Sequence, residues 1–326
     1  MELSKFSGKK YKVLVTGGAG FIGSHIVDLL LKKGYLVVVV DDLSSGLKSF
    51  VNKRASFYNV DITSPELKEV FKVEKPDFVV HAAAQVSVIK SLQDPIYDAK
   101  INILGTINVL EQCKNFNVKK IVFLSSCAVY GEPEYLPVDE NHPLKAFSPY
   151  GISKHTAEHY LYEYYKNYDI DYLVLRLANV YGPRQGLGRA LGVIPAFIEA
   201  FLTNGVIKIN GDGSQTRDFI YVGDVAEIVV RGLEKPTLRK IMNVGSGREV
   251  SVKQIVSILK KQFNKEIPVE YAPPVEGEVK RICLTIDALS RELKWSPRTS
   301  FEEGISKTIK WFVKNHKSRM NIIKHK

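Results

Sequence analysis

The sequence is poor in several features that would settle a class at once. Only three cysteines, Cys113, Cys127 and Cys283, occur in 326 residues. They are too few and too scattered for a disulfide framework or for Cys-x-x-Cys ligands, so reduced thiols and no metal site are expected. No uninterrupted apolar run approaches the roughly 20 residues of a membrane span, which argues against a membrane-embedded chain. The opening residues, MELSKFSGKKYK, lack the apolar core of a secretory signal, and a cytoplasmic setting is expected. Internal repeats and low-complexity tracts are also missing, which removes solenoids and disordered arrays.

What is present fits a soluble globular chain: 45% apolar and 25% charged residues. The length suggests one large domain or two intimately joined ones. The net charge is +11, from 46 Lys and Arg against 35 acids. The lysines are dispersed except in a basic tail, residues 315–326, so a solvated surface and a frayed tail are expected rather than nucleic-acid binding. The positive field would still favour an anionic substrate.

Strand-like runs at 11–16, 35–40, 56–60, 77–81, 120–125 and 171–177 alternate with helical periodicity at 22–33, 65–73, 94–115 and 149–168. This alternation predicts parallel strands joined by right-handed crossovers, a doubly wound α/β sheet. Beyond residue 178, Pro and Gly become frequent and strands short, which predicts a smaller mixed α/β domain carrying helices at 251–263 and 301–314.

The stretch Lys12–His25, KVLVTGGAGFIGSH, joins the first strand to the first helix through Gly17, Gly18, Gly20 and Gly23. Such a turn lets the backbone approach a pyrophosphate, which the helix N-terminus then binds. Asp41 lies eighteen residues after Gly23, at the end of the second apolar run. An acid there accepts hydrogen bonds from adenosine ribose hydroxyls and, with Asp42, repels a ribose phosphate, so NAD is expected over NADP.

Three further stretches sit at predicted strand ends and a fourth at a predicted helix start. Asp61-Ile62 suits an adenine edge, or equally a capping loop before Thr63-Ser64-Pro65. In His81-Ala82-Ala83-Ala84 the small residues let a flat ligand lie on the backbone, whereas His81 reads as a packed, satisfied histidine. Ser125 and Ser126 close the fifth strand, where ligands bind in open α/β sheets. Tyr150 and Lys154 share one face at the start of the helix 149–168. A phenol is a poor base near neutral pH, but a neighbouring ammonium and a positive nicotinamide would favour its phenolate.

TGGAGFIGSH, DDLSSG, SSCAVYG, YGISK, NILGT, LRLANVYGP and GDGSQTRDFIYVGDVA together resemble the extended short-chain dehydrogenase/reductase superfamily. Within it the chain is most similar to the UDP-glucose 4-epimerase (UDP-galactose 4-epimerase) family, over roughly residues 11–314. The resemblance implies a Rossmann domain for NAD from 1–177 and 218–243, and a nucleotide-sugar domain from 178–217 and 244–314. It gives Gly17, Gly20, Phe21, Ile22, Gly23, Asp41, Asp61, Ile62, Ala83, Asn102, Tyr150 and Lys154 to the cofactor. Ser126, Tyr150 and Lys154 are implied as catalytic residues. Ser126, Tyr150, Asn179, Arg217 and Glu278 are implied for a UDP-sugar. A guanidinium at 217 independently suits phosphate. The family's arginine in a PxRxGE/D motif is replaced by Val275.

Sugar dehydratases of the superfamily follow the catalytic Ser/Thr with Asp-Glu. Here Cys127 and Ala128 stand there, so epimerisation at C4 of a UDP-hexose is expected instead. Two alternatives remain at this point: a reductase of a 4-keto nucleotide sugar and a non-catalytic dinucleotide-binding protein. Surplus apolar faces on helices 94–115 and 149–168 suggest a homodimer.

Overall fold

The structure, a computed structural model, describes residues 10–186, 192–235, 238, 240–274 and 279–324. The first apolar run forms β1 (Lys12–Thr16), and the glycine turn delivers it into α1 (Phe21–Lys32). β2 (Leu36–Val40), β3 (Ser56–Tyr58), α2 (Leu67–Glu74) and β4 (Phe78–His81) follow. β4 is buried along its whole length, as expected of a parallel strand covered on both faces.

The single helix expected over 94–115 is broken into pieces. α3 (Val88–Gln93), which was not expected, ends at Asp94, and that side chain caps α4 (Pro95–Ala99) by accepting from Tyr97 N at 2.9 Å. The Asp-Pro pair is a helix start inside a helical pattern, so the chain restarts there. A π-helical turn, Lys100–Leu104, then leads into α5 (Gly105–Asn115). β5 (Lys120–Ser126) comes next, and α6 (Pro149–Tyr168) is capped by Ser148, whose Oγ accepts from Gly151 N.

β6 (Asp171–Leu177), β7 (Asn179–Tyr181), α7 (Val193–Thr203), β8 (Ile207–Asn210) and β9 (Thr216–Tyr221) continue the chain. They are followed by α8 (Val222–Leu233), β10 (Lys240–Val244), β11 (Glu249–Ser251), α9 (Val252–Phe263) and β12 (Val269–Ala272). α10 (Asp287–Leu293) and α11 (Phe301–Lys324) complete it. The tail expected to fray from residue 315 continues α11 as helix to Lys324.

Seven parallel strands form the main sheet in the order β10-β6-β5-β4-β1-β2-β3. Alternate residues feed opposite cores: Val13 and Val15 pack with α1 and α8, and Leu14 packs with α2, α5 and α6. β11-β9-β7 make a small mixed sheet and β12-β8 a parallel pair, with a third core under α7, α9 and α11. β9 thus belongs to the small sheet, whereas α8 and β10 return to the large one.

Lys120 ties the two runs of chain together. It is wholly buried, and its Nζ donates to Gly232 O, Lys235 O and Leu238 O at 3.0, 2.6 and 2.9 Å. A cation therefore closes the carboxyl end of α8, where the helix dipole favours it. Among the described residues no helix is long and apolar enough to cross a membrane.

Candidate active site at the carboxyl ends of the strands

The glycine turn is shaped by close approach. Gly17 holds φ +69°, its N donates to Val40 O at 2.8 Å, and a Cβ there would meet Ala83 N at 2.6 Å. A Cβ on Gly23 would lie 2.1 Å from Gly17 O, so α1 can pack on the turn only through glycine. Gly20 N donates to Gly17 O, and α1 begins at Phe21 with no side-chain cap. The first-turn N–H groups of Phe21 and Ile22 have no partner within the helix and point at the turn. Asp41 is buried at the end of β2; its Oδ2 accepts from Ala19 N and its Oδ1 from Leu43 N, each at 2.9 Å. Burial pushes this carboxyl up and those two donors oppose the shift. Each oxygen keeps a further lone pair for a ribose hydroxyl. An uncapped helix start, a backbone stripped of Cβ atoms and a placed carboxylate together fit a dinucleotide.

Asp61 Oδ1 accepts from Thr63 N and Thr63 Oγ1, and Ile62 is buried against Gly105. Asp61 thus folds a turn ahead of α2, whose own start has no side-chain cap. His81 is packed and satisfied, as expected. Thr106 Oγ1 donates to Asn102 O at 2.6 Å, so its oxygen accepts from His81 Nε2 at 3.0 Å. His81 Nδ1 then accepts the Thr16 hydroxyl at 2.7 Å, and Thr16 Oγ1 accepts from Ala83 N. This one-way relay needs a neutral imidazole, and burial holds the His81 pKa down at about 3.

The relay reaches the catalytic helix through Asn102. Its Oδ1 accepts from Gln85 N, and its Nδ2 lies within hydrogen-bond distance of Gln85 O, Asp98 Oδ1 and Ser153 Oγ. Ser153 Oγ donates in turn to Tyr150 O. Thr16, Gln85, Asp98 and Thr106 were not singled out in the sequence; their roles depend on distant partners, such as His81 for Thr16, 65 positions away, and Asp98 for Gln85, 13 positions away.

Ser126, Tyr150 and Lys154 meet at the mouth of β5. Ser126 ends that strand and accepts from Ala128 N at 3.2 Å. Tyr150 lies in the first turn of α6. Burial pushes its phenol up to about 12, the hydrogen bond with Ser126 opposes this, and Cys127 and Asp98 add to it. Lys154 is buried, donates Nζ to Leu124 O at 2.9 Å and sits 4.7 Å from the Phe123 ring centre. Burial lowers it to about 8, against Asp98 and Glu158, which hold it up. The expected acidification of the phenol by Lys154 is therefore not found in the protein by itself. The ammonium is engaged with a carbonyl, and desolvation outweighs it.

α6 is fixed by a buried ion pair. Glu158 receives Arg176 Nε and Nη2 at 3.0 and 2.7 Å and the Ser125 hydroxyl at 2.6 Å. Arg176 also donates to Tyr130 OH, which donates to Asn243 Oδ1. Strands β5, β6 and β10 are thereby tied to the helix carrying Tyr150.

Asn179 and Arg217 border one pocket of about 240 Å3, with Phe197 and Phe219 in its wall. Glu278 and Val275 lie outside the described residues. Arg281, beside them, is held by Glu249 through Nε and Nη2 at 2.9 and 2.6 Å. A larger cleft of about 600 Å3, bordered by Lys33, Glu227 and Arg298, lies between α1 and α8 and none of the site residues lines it. Burial pushes the Cys127 thiol up to about 11, so it cannot act as an acid near neutral pH.

A doubly wound sheet with this turn at its first strand, and Ser, Tyr and Lys at the mouth of its fifth, has the make-up of an extended short-chain dehydrogenase/reductase. The model of the NAD dependent epimerase/dehydratase family matches residues 13–245, and the chain belongs to that family. A Methanocaldococcus jannaschii protein, provisionally named a UDP-glucose 4-epimerase, is 46% identical over 307 residues, 94% of this chain and 100% of its own. The structure of UDP-glucose 4-epimerase from Thermotoga maritima with UDP-glucose superimposes with a TM-score of 0.91 at 40% identity, covering 94% of this chain and 99% of that one. The Thermus thermophilus UDP-glucose 4-epimerase in complex with NAD gives 0.87 at 39%, covering 93% and 99%.

The neutral, enclosed imidazoles set a pH window. His81 near 3 and His25 near 4 both lie below the ordinary 6.5. Their contribution is fully present above about pH 6.5 and is lost as pH falls, because only the unfolded chain then takes up protons. Between pH 7 and pH 5, His81 alone should remove about 2 kcal/mol. Urea midpoints should fall steadily over that interval; a flat midpoint would contradict a neutral His81.

Proposed function

We propose that this chain is an NAD-dependent 4-epimerase of UDP-hexoses, interconverting the two C4 configurations through a 4-keto intermediate. The observation that carries the reading is Ser126 at the end of β5 together with Tyr150 and Lys154 at the start of α6, with no carboxyl at the two positions after Ser126. The activities named for the relatives point the same way. When bound, NAD supplies the acceptor and donor of the C4 hydride and a positive ring beside the phenol. Gly17, Gly20, Phe21, Ile22 and Gly23 would hold its pyrophosphate and Asp41 its ribose. Asp61, Ile62 and Ala83 would flank the adenine side, and Asn102 and Lys154 the nicotinamide side.

Tyr150 takes the 4-hydroxyl proton, directly or through Ser126, and returns it to the C4 oxygen once the sugar has turned and the opposite face of C4 is presented to the returning hydride. Asn179, Arg217 and Glu278 would anchor the UDP moiety while the hexose, held loosely, rotates. Residues 1–177 with 218–243 would then serve the cofactor, and 178–217 with 244–314 the substrate. The sugar is glucose/galactose, their N-acetylated forms or the uronic acids. Three unpaired thiols suit a reducing, cytoplasmic setting.

Apolar side chains stand out from α3, α4, the π turn and α6: Ile89, Leu92, Ile96, Leu104 and Ile152, with Ile96 81% exposed. They form the surface through which two copies would pair. Sedimentation at micromolar concentration should give a dimer and Ile96→Glu should weaken it; a wild-type monomer would count against the pairing.

The activity test is incubation with UDP-glucose, UDP-N-acetylglucosamine and UDP-glucuronate, with products read by NMR. At least one should invert at C4 without net release of NADH, and Tyr150→Phe should be slower by ~10²–10⁴. Stoichiometric consumption of nicotinamide would favour the keto-sugar reductase, and conversion of none would overturn the reading.

A further inference from the structure

α6 carries a pair of imidazoles that the chemistry above does not use. His155 and His159 are four positions apart, so they share one helical face. His155 is half-buried and His159 is exposed. Their Nε2 atoms lie 3.1 Å apart, with the ring centres at 4.7 Å and the planes inclined at 53°. The two rings thus aim the same nitrogen at one point instead of spreading into solvent. Among the described residues this Nε2 contact is the one hydrogen bond that either ring makes. His25, His81 and His142, by contrast, spend ring nitrogens on other partners in the protein.

Between two neutral rings, that contact needs one Nε2–H to donate and the other Nε2 to accept. With each ring carrying its proton on Nδ1 instead, both Nε2 lone pairs face the same point, and a cation replaces the shared proton. At a metal–nitrogen distance of about 2.05 Å, the observed separation subtends about 100° at the ion, between the tetrahedral and octahedral angles. Imidazole suits late first-row divalent ions such as zinc, nickel and copper, whereas magnesium and calcium prefer oxygen. The ligating form is the neutral ring. Burial lowers the His155 pKa, Glu158 opposes this, and His159 and Arg176 add to the lowering.

The helix holds the pair in place. Glu158, between the two histidines in sequence, is buried and receives Arg176 Nε and Nη2 at 3.0 and 2.7 Å. Ala157 beside it is wholly buried. The backbone beneath the imidazoles is thereby fixed, so an ion has only side-chain rotamers to order. Among the described residues no group of three or more His, Cys, Asp and Glu side chains could hold a metal ion, so the pair is a two-ligand site completed by water.

We propose that His155 and His159 chelate a late first-row divalent cation, such as zinc, on the helix that carries Tyr150 and Lys154. The ion bridges one turn of α6, beginning at the residue after Lys154. This site is independent of the epimerase reading, and neither its occupancy nor its test depends on conversion of any sugar.

The test is equilibrium dialysis of the full chain against ZnCl2 near neutral pH, with MgCl2 as the control. The wild-type chain should hold a zinc ion that His155→Gln and His159→Gln each lose, with affinity falling at least about tenfold. His155→Gln/His159→Gln should fall no further than either single variant, since a chelate is lost with its first arm. Zinc should also raise the melting temperature of wild type more than that of either variant, and magnesium should not. His316 and His325 of the tail are present in every protein compared, so they leave the differences unchanged. Equal zinc binding by wild type and the double variant, or losses that simply add between the two single variants, would overturn the proposal. Either single variant decides the first point, so a failure of one to fold leaves the other as the test.

Discussion

Desolvation of one phenol governs this site. Tyr150 sits at the mouth of β5, and enclosure favours its neutral form more strongly than the neighbouring Ser126 hydroxyl opposes it. Lys154 is itself enclosed, lowered to about 8, and turned to the Leu124 carbonyl. The protein alone therefore holds a neutral phenol and a lysine lowered toward neutral pH. On the function proposed above, the phenol would become a competent base only when further positive charge enters, which would couple proton transfer to occupancy of the dinucleotide cleft.

Such a balance needs fixed geometry, and the fold supplies it from two sides. From below, Glu158 and Arg176 bind α6 to β5 and β6, with Tyr130 and Asn243 extending the link to β10. Buried pairs of this kind contribute little net stability but are strongly destabilising to break. From the flank, Asn102 joins the catalytic helix to the loop after β4, and His81 continues that path to Thr16 at the edge of the glycine turn. The glycine turn and the helix that carries Tyr150 thus share one hydrogen-bond chain.

The parallel sheet was legible because its determinants are local. Runs such as Leu14–Val15 and Val37–Val40 can only be buried strands, and Gly17 and Gly23 stand where a Cβ cannot. Ser126, Tyr150 and Lys154 were likewise visible, since strand end and helix start bring them together. The helix expected at 94–115 does begin at Asp94-Pro95, but α3 ahead of it was not read. The π turn Lys100–Leu104 within it carries no sequence mark. The short strands β7, β8, β9, β11 and β12 were also missed, being three to six residues long and set by pairing rather than by periodicity. The upward shift of Tyr150 in the protein by itself was not legible for a related reason: spacing reveals the neighbouring lysine, but only the folded chain reveals how much water is excluded.

The most direct measurement is the ultraviolet difference signal of phenolate, taken as wild type minus Tyr150→Phe, in cofactor-stripped and NAD-loaded protein. The expected result is no Tyr150 phenolate below about pH 10 in the stripped protein, and ionisation at lower pH once NAD is bound. Ionisation of Tyr150 near neutral pH in the stripped protein, or an identical titration in both forms, would contradict the dominance of desolvation.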